Sequence, residues 1–419
     1  MSPTSTQLIG GRPVYRYYIA WTISGDLALE LNFSGVTWSR QIRKAGSFSG
    51  TIYFENEKRL TEAFWATMPG KMSLYVTRNN KPVWGGFIVR RSYDSGTRML
   101  TIEANGFESY LYRRFIWHDT VQANTVDQYQ VVRNLIGMMQ TDFNGLAVTA
   151  DRASPRPDNA NIGLAVDSRN SGRTQDRQQW NGYQLQNFGD ALEAFSDNLY
   201  GFEYNIEVDW NLDKDKFTKR LVFRDTPPSQ LPVGVTYTGT RPGLEENFFE
   251  FPGNIISLSY DDTIDDSGNR QWVLGAQPEP VGDTELPTYR GVWQNEAYLS
   301  TQWPLLESAE SSAQNNVVKE STLDAYARSY GQRSKPPAPA WSVTVNGDMN
   351  PHVGTYGPGD WCRLIVTDPF LLYAIGAGGE VSRVLTKRIA EFSVTVPDTE
   401  QIPETVTLTL IDEWNDGGP

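Results

Sequence analysis

Short runs of alternating apolar and polar residues occupy both ends of the chain, and helix-spaced apolar residues fall between them. At the N-terminal end the runs are Leu27–Phe33, Ser47–Phe54, Met72–Thr77, Val83–Val89 and Arg98–Ala104. At the C-terminal end they are Trp341–Val345, Trp361–Val366, Val381–Leu385, Glu391–Val396 and Thr405–Ile411. A period of two is the signature of a strand with one face buried. Asn79-Asn80 and Ser95-Gly96 are hairpin turn signals between such strands. Strands this short and this closely spaced predict small antiparallel barrels or sandwiches.

Between the ends the period changes. Thr125–Gln140 predicts a helix with Val126, Tyr129, Val132, Ile136 and Met139 on one face, and Thr125 with Gln128 forms a capping-box pattern. Asn187–Tyr200 predicts a second helix, with Leu192, Phe195 and Leu199 on one side and Gly201 as its stop. Phe202–Val208 and Arg220–Arg224 follow as a hairpin. Ser321–Tyr330 predicts a third helix, capped by Ser321 and Asp324, with Leu323, Tyr326 and Ala327 together and Gly331 at its end. The polar stretch 151–182 is expected to be an exposed loop. Residues 226–313 are turn-rich, with strands at Ile255–Tyr260 and Gln271–Leu274, and Lys335–Pro339 is a stiff linker.

A length of 419 residues predicts roughly two to four domains of ~100–200 residues. Aromatic residues at 12% suit sheets and contact surfaces. The net charge of −13 argues against a general nucleic-acid binder, which needs basic surface to displace counterions. It suits a passage through which DNA slides without adhering. The single cysteine, Cys362, excludes an internal disulfide. The N-terminus MSPTSTQLIGG lacks the charged and apolar regions of a signal peptide, and no apolar run reaches the ~20 residues of a membrane span. Synthesis and folding in a cytoplasm are therefore expected.

The search for chemistry nominates no catalytic, cofactor-binding or metal-ligating residue. His118 and His352 are the only histidines, and with Cys362 they cannot form the usual structural zinc set. No GxSxG elbow supports a serine triad. Cys362 lies in a strand-like run, where a small buried side chain is the better reading than a nucleophile. Asp209–Asp215 resembles the start of a calcium loop, but Lys214 stands where Gly is needed and Arg220 where the bidentate Glu belongs. A charged hairpin tip is the better reading. The acidic turn Asp261–Asn269, with its carboxylates at 261–266, could hold a cation weakly; solvated loop carboxylates are the default. No phosphate-cradling glycine loop opens a helix.

Several stretches, taken in order, resemble minor tail proteins of long-tailed phages infecting actinobacteria, the class similar to baseplate hub proteins. They are Trp38–Phe54, Pro82–Ile88, Phe107–Arg114, Asn187–Phe195 with Gly201–Tyr204, Gly359–Ile365, and Arg388–Val394 with Thr405–Leu410. The stretches 151–182 and 226–313 depart from that pattern. The resemblance implies a trimeric ring beneath the tail tube, in which each subunit carries two tube-like β-barrels. Three subunits then present six similar modules around the DNA channel. It supplies no catalytic residue.

The expected fold is mainly β with an α+β middle: two small antiparallel, tail-tube-like β-barrels and a helix-containing insertion domain. The divisions are 1–112 for the N-terminal barrel, 113–205 for the α/β middle, 206–335 for a strand- and turn-rich region with a helix at 321–330, and 336–419 for the C-terminal barrel. The expected function is that of a structural, non-enzymatic tail-tip hub subunit of the virion, made in the host cytoplasm. No cofactor is implied. The expected partners are two further copies of the chain, the tail tube or a distal tail protein above, and other tip proteins or a fibre below. Phage DNA would pass through the lumen without specific binding. The alternative is a carbohydrate-binding or cell-wall-degrading tail protein, whose tryptophans would stack along one open groove.

Overall fold

The N-terminal alternation folds into antiparallel strands. The computed structural model describes residues 12–54, 57–117, 119–122, 125–141, 160–174, 178–197, 200–227, 230–231, 238–263, 268–276, 288–296, 303–310, 319–333, 338–399 and 402–411. The first strands are β1 (Tyr15–Trp21), β2 (Leu27–Leu31), β3 (Ser34–Gln41), β4 (Ser47–Tyr53), β5 (Met72–Arg78), β6 (Lys81–Asp94) and β7 (Met99–Gly106). They lie in the order β3-β4-β7-β6-β5-β1-β2. Phe48 and Ile52 of β4 and Leu100, Ile102 and Ala104 of β7 line one core, as the alternation requires. Asn79 and Asn80 turn β5 into β6 with φ of 50° and 64°, left-handed values that asparagine tolerates and a tight hairpin needs. A helix not expected from the sequence, α1 (Glu57–Ala66), lies between β4 and β5.

β5 departs from simple alternation, because all seven of its residues are buried. Met72, Leu74 and Val76 enter the main core, while Tyr75 enters a second one. That second core belongs to the middle of the chain. A 3-10 turn, Phe107–Arg113, leads into β8 (Thr120–Gln122), α2 (Gln128–Thr141), β9 (Leu164–Val166), β10 (Gln178–Trp180), α3 (Phe188–Ser196), β11 (Glu203–Trp210) and β12 (Phe217–Arg224). β11 and β12 form the expected antiparallel hairpin, and β9 joins β12 in parallel.

The helix ends correct the sequence reading. α2 begins at Gln128 rather than Thr125, because the Asp127 carboxylate accepts the Tyr129 N–H at 2.9 Å and also holds the Ser171 and Gly172 amides. α3 (Phe188–Ser196) is capped by Asn187, whose side chain accepts the Asp190 N–H at 2.7 Å. It ends by Asp197, before Gly201, and Leu199 lies outside the described residues. The stretch 151–182 is not simply an exposed loop. Its described part carries β9 and β10 and buries Ala160, Ile162, Leu164 and Trp180.

Further on come β13 (Phe248–Glu250), β14 (Ile255–Thr263), β15 (Arg270–Leu274), β16 (Arg290–Gln294), β17 (Glu307–Glu310) and α4 (Glu320–Arg333). β16-β15-β17 form a small sheet, and α4 covers it with Leu323 and Ala327 against Val273. Asp324 does not close a capping box; its carboxylate accepts the Val292 N–H at 2.9 Å and so ties the helix to β16. Gly331 does not stop α4 either. A Cβ there would lie 2.1 Å from the Trp293 ring, so the glycine permits close packing of helix on strand. Of the expected linker, Lys335–Pro337 lies outside the described residues and Ala338-Pro339 opens the next strand.

The last elements are β18 (Ala338–Asn346), β19 (Trp361–Val366), α5 (Pro369–Ala374), β20 (Arg383–Thr395) and β21 (Thr405–Ile411). The two runs Val381–Leu385 and Glu391–Val396 belong largely to one strand, β20, which carries an irregularity between Ile389 and Glu391. β20 pairs with β19 over its first half and with β3 over its second, while β21 follows it on the other side.

The β20–β3 pairing corrects the expectation of two closed barrels. Among the described residues, eleven strands from both ends of the chain and two, β13 and β14, from the region between them form one sheet, and no barrel closes. Its main path runs β14-β18-β21-β20-β3-β4-β7-β6-β5-β1-β2. A barrel loses its edges by closing on itself. Here the edge of β3 is covered by β20 instead of by β2. Both ends accordingly share one core, in which Trp38 packs edge-on to Phe392 at 5.5 Å.

Candidate functional site

The residues weighed for chemistry do not converge. Cys362 is fully buried among the core residues of β19, and burial pushes its thiol up to about 12, which suppresses the reactive thiolate. His352 is exposed, and its carbonyl accepts the Thr355 N–H and hydroxyl. His118 lies outside the described residues. Asp209–Asp215 forms the tip of the β11–β12 hairpin. There the Asn211 side-chain oxygen accepts the Asp215 and Lys216 N–H groups, and Lys214 takes a φ of 55°. Asp261 and Asp262 belong to strand β14, and residues 264–267 of that acidic turn lie outside the described residues. Among the described residues no three metal-ligating side chains cluster, and no helix is long and apolar enough to cross a membrane.

The polar organisation of the molecule is concentrated elsewhere, along the seam between the middle layer and the strands β3, β19 and β20. Arg388 of β20 donates to Glu203 of β11 in a buried two-pronged pair; one prong, from Nη1 to Oε1, measures 2.9 Å. The same guanidinium donates from Nε to the Gly359 carbonyl at 3.0 Å. Arg224 of β12 donates to Asp360 at 2.6 Å, and the other Asp360 oxygen accepts the Gly357 N–H at 2.7 Å. Arg43 pairs with Asp197 at 2.8 Å, and Asn205 donates to the Pro358 carbonyl at 3.2 Å. Gly359 takes a φ of 89°, and a Cβ there would fall 2.7 Å from the Arg224 side chain. The turn 357–360 is thus gripped from the sheet by Arg388 and from the middle layer by Arg224.

Three cavities flank these pairs. One of about 270 Å³ is lined in part by Arg40, Glu108, Glu207 and Asp360. The others, of about 350 and 360 Å³, open beside Arg388 and Arg43. Burial raises the Glu108 carboxyl, against the pull of the Ile206 N–H that it accepts at 2.8 Å. Burial likewise draws the Arg40 guanidinium down, against the attraction of Glu108 and Glu207. This chemistry joins the layers of the protein.

Sequence reasoning missed the seam. Gly359-Asp360 is legible as a turn, but Glu203 and the adjacent Lys387-Arg388 are charges placed within strand runs. That misfit is the available signal, since a charge at a core position needs a partner.

The exterior carries its own features. The path of the large sheet ends at β2 and β14. Phe64, Trp65, Phe370 and Tyr373 are exposed aromatics, with Arg91 stacked 4.2 Å over Phe64. Among the described residues the tryptophans are dispersed, with Trp21 and Trp65 exposed on the surface. Trp38, Trp84 and Trp341 lie in the main core, and Trp180 lies in the second. Trp361 is buried beneath Arg241.

No family model matches the chain, and no curated protein does. Solved structures do. The 43 kDa tail protein of prophage MuSo2 from Shewanella oneidensis is similar with a TM-score of 0.57 at 11% identity, over 96% of this chain and 99% of that one. A tail protein from Neisseria meningitidis is similar with a TM-score of 0.54 at 11% identity, over 95% and 97%. A chain of the Francisella PdpA–VgrG complex is similar with a TM-score of 0.50 at 9% identity, over 96% of this chain and 58% of that one. These sources lend no support to an actinobacterial host. Nearly end to end, then, this chain has the mainly-β fold of phage tail proteins such as those of Shewanella and Neisseria.

Proposed function

We propose that this chain is a structural subunit of a phage tail tip, three copies of which form a hub ring beneath the tail tube and around the DNA passage. The observation that carries the reading is the likeness to a prophage tail protein over 96% of this chain and 99% of that one, which leaves no large extra domain on either side of the comparison. The divisions at 112, 205 and 335 belong to the proposal, as do a tube or distal tail protein above, tip proteins or a fibre below, and residence in the virion after synthesis in the host cytoplasm. A heterologous contact between copies must close into a ring or run on as a filament. The net charge of −13 supports a lumen that DNA crosses without adhering, because fixed negative potential repels phosphate. Burial of Trp38, Trp84, Trp180, Trp341 and Trp361 supports a structural, non-enzymatic role over stacking on sugar along an open groove.

Imaging of assembled tails at side-chain resolution tests the reading. Three copies in one ring are expected, with carboxylates outnumbering Lys and Arg on the face towards the axis. Six copies per ring, or absence from the tail, would overturn the hub; a basic lumen would overturn the passive passage. Zymography on host cell wall is expected to show no lysis. Lysis abolished by Cys362→Ala or His118→Ala would overturn the non-enzymatic part.

A further inference from the structure

The middle layer is held differently on its two sides. Towards β1 and β5 the contact is close and built on stacked rings and touching backbones, with the Lys219 ammonium donating to the Thr22 carbonyl at 2.6 Å and Lys216 pairing with Asp26 at 3.4 Å at its margin. The Tyr75 and Phe217 rings stack at 4.0 Å, and the Gly25 carbonyl accepts the Phe217 N–H at 3.0 Å. A Cβ on Gly25 would approach the Phe217 carbonyl oxygen to 2.2 Å, so the two backbones touch. Towards β19 and β20 the contact is made of charges: Glu203 with Arg388, and Arg224 with Asp360, beside cavities of about 270 and 350 Å³. The Arg43 N–H donates across this seam to the Tyr204 carbonyl at 3.2 Å.

We infer that the middle layer is a hinged flap. Its stacked contact with β1 and β5 is the hinge, and the Glu203–Arg388 and Arg224–Asp360 pairs are the latch that closes it onto β20 and the turn 357–360. Separating the stacked side exposes the Tyr75, Phe217 and Trp210 rings to water, and hydration does not offset that apolar loss. Separating the charged side returns each ion to water, and that hydration offsets most of the lost attraction. The cavity of about 270 Å³, lined mainly by polar groups, gives water a place to enter. Polar contacts between layers are where relative motion is expected. The inference concerns motion within one chain and does not rest on the assembly proposed above.

Hydrogen exchange on the full chain tests it with two reporter amides, Arg43 across the latch and Phe217 across the hinge. In the unmodified protein the Arg43 amide should exchange at least about tenfold faster than the Phe217 amide, because local opening precedes global unfolding. Equal rates would overturn the flap. In Glu203→Gln the Arg43 amide should exchange about ten- to a hundredfold faster still, the loss of a hydrogen bond between charged groups, with Phe217 unchanged. Acceleration of both amides together would mean that the pair supports the whole fold rather than a latch. No change at Arg43 would mean that the pair does not hold the seam. Either result overturns the inference, and the comparison in the unmodified chain decides it even if the variant does not fold.

Discussion

The ring of Tyr75 lies flat on that of Phe217, with centroids 4.0 Å apart and planes inclined by 4°. Tyr75 stands on the outer face of β5 and Phe217 opens β12, so the stack joins the large sheet to the middle layer. Trp210 continues it, stacking on Phe217 at 4.0 Å. Phe217→Ala removes the ring at the centre of this group and leaves a cavity. The expected loss is about 3–5 kcal/mol, read as a lowered midpoint of urea unfolding with little change in slope. A loss below about 1 kcal/mol would mean that the layers do not depend on the stack.

Two helical glycines should respond in opposite senses to the same change. Gly331→Ala in α4 drives a methyl to within 2.1 Å of the Trp293 ring and should destabilise by about 1–3 kcal/mol. Gly137 in α2 is exposed, with nothing within 4 Å of a Cβ. Gly137→Ala should stabilise by about 0.5–1 kcal/mol, because alanine gives up less backbone freedom on folding. Thermal unfolding of the two variants beside the parent checks both signs.

Glu404 is buried, and that burial pushes its carboxyl up to about 7 despite the Arg78 guanidinium, whose Nε donates to it at 3.1 Å. Asp348 nearby adds to the rise. The folded state therefore holds a proton here that the unfolded chain, titrating near 4.5, releases. Stability should fall as pH climbs from 4.5 to 7, by roughly 3 kcal/mol for this group. Denaturant unfolding across that range should show the decline in the parent and a flatter profile in Glu404→Gln.

Lys219 has the opposite sense. Its ammonium is buried, donates to the Thr22 carbonyl at 2.6 Å and is drawn down to about 8 by burial. The folded state pays for this charge below pH 8 and loses the penalty as pH rises towards the ordinary lysine value. Stability should increase by about 2–3 kcal/mol between pH 8 and 10. Lys219→Met should lack that increase when unfolding is followed over the same window.

Most strands were legible because each carries its own signal. Ser47–Phe54, Thr405–Ile411 and the hairpin after Phe202 are read from alternation over a few residues and appear where expected. The start of the second helix at Asn187 was legible for the same reason, and the structure shows Asn187 as its cap, with its partner Asp190 three residues away. The misreadings involve distant partners. Asp127 displaces Thr125 as the cap because Ser171 and Gly172 approach it, and Gly331 continues its helix because Trp293 lies beneath it. Arg388 and Glu203 are 185 residues apart, so no local pattern could pair them.

The sequence by itself determined that both ends of the chain are sheet, that helices lie between them, and that the usual zinc set and serine-hydrolase elbow are missing. Those properties follow from residue type and short-range periodicity. The tertiary structure alone decided that the two ends form one sheet rather than two barrels. Alternation says which face of a strand is buried but not which neighbour takes its edge. The backbone groups of β3 could have been satisfied by β2 or by β20. The choice fell to β20, where Phe392 comes to rest against Trp38 and the two ends bury their apolar faces in a common core.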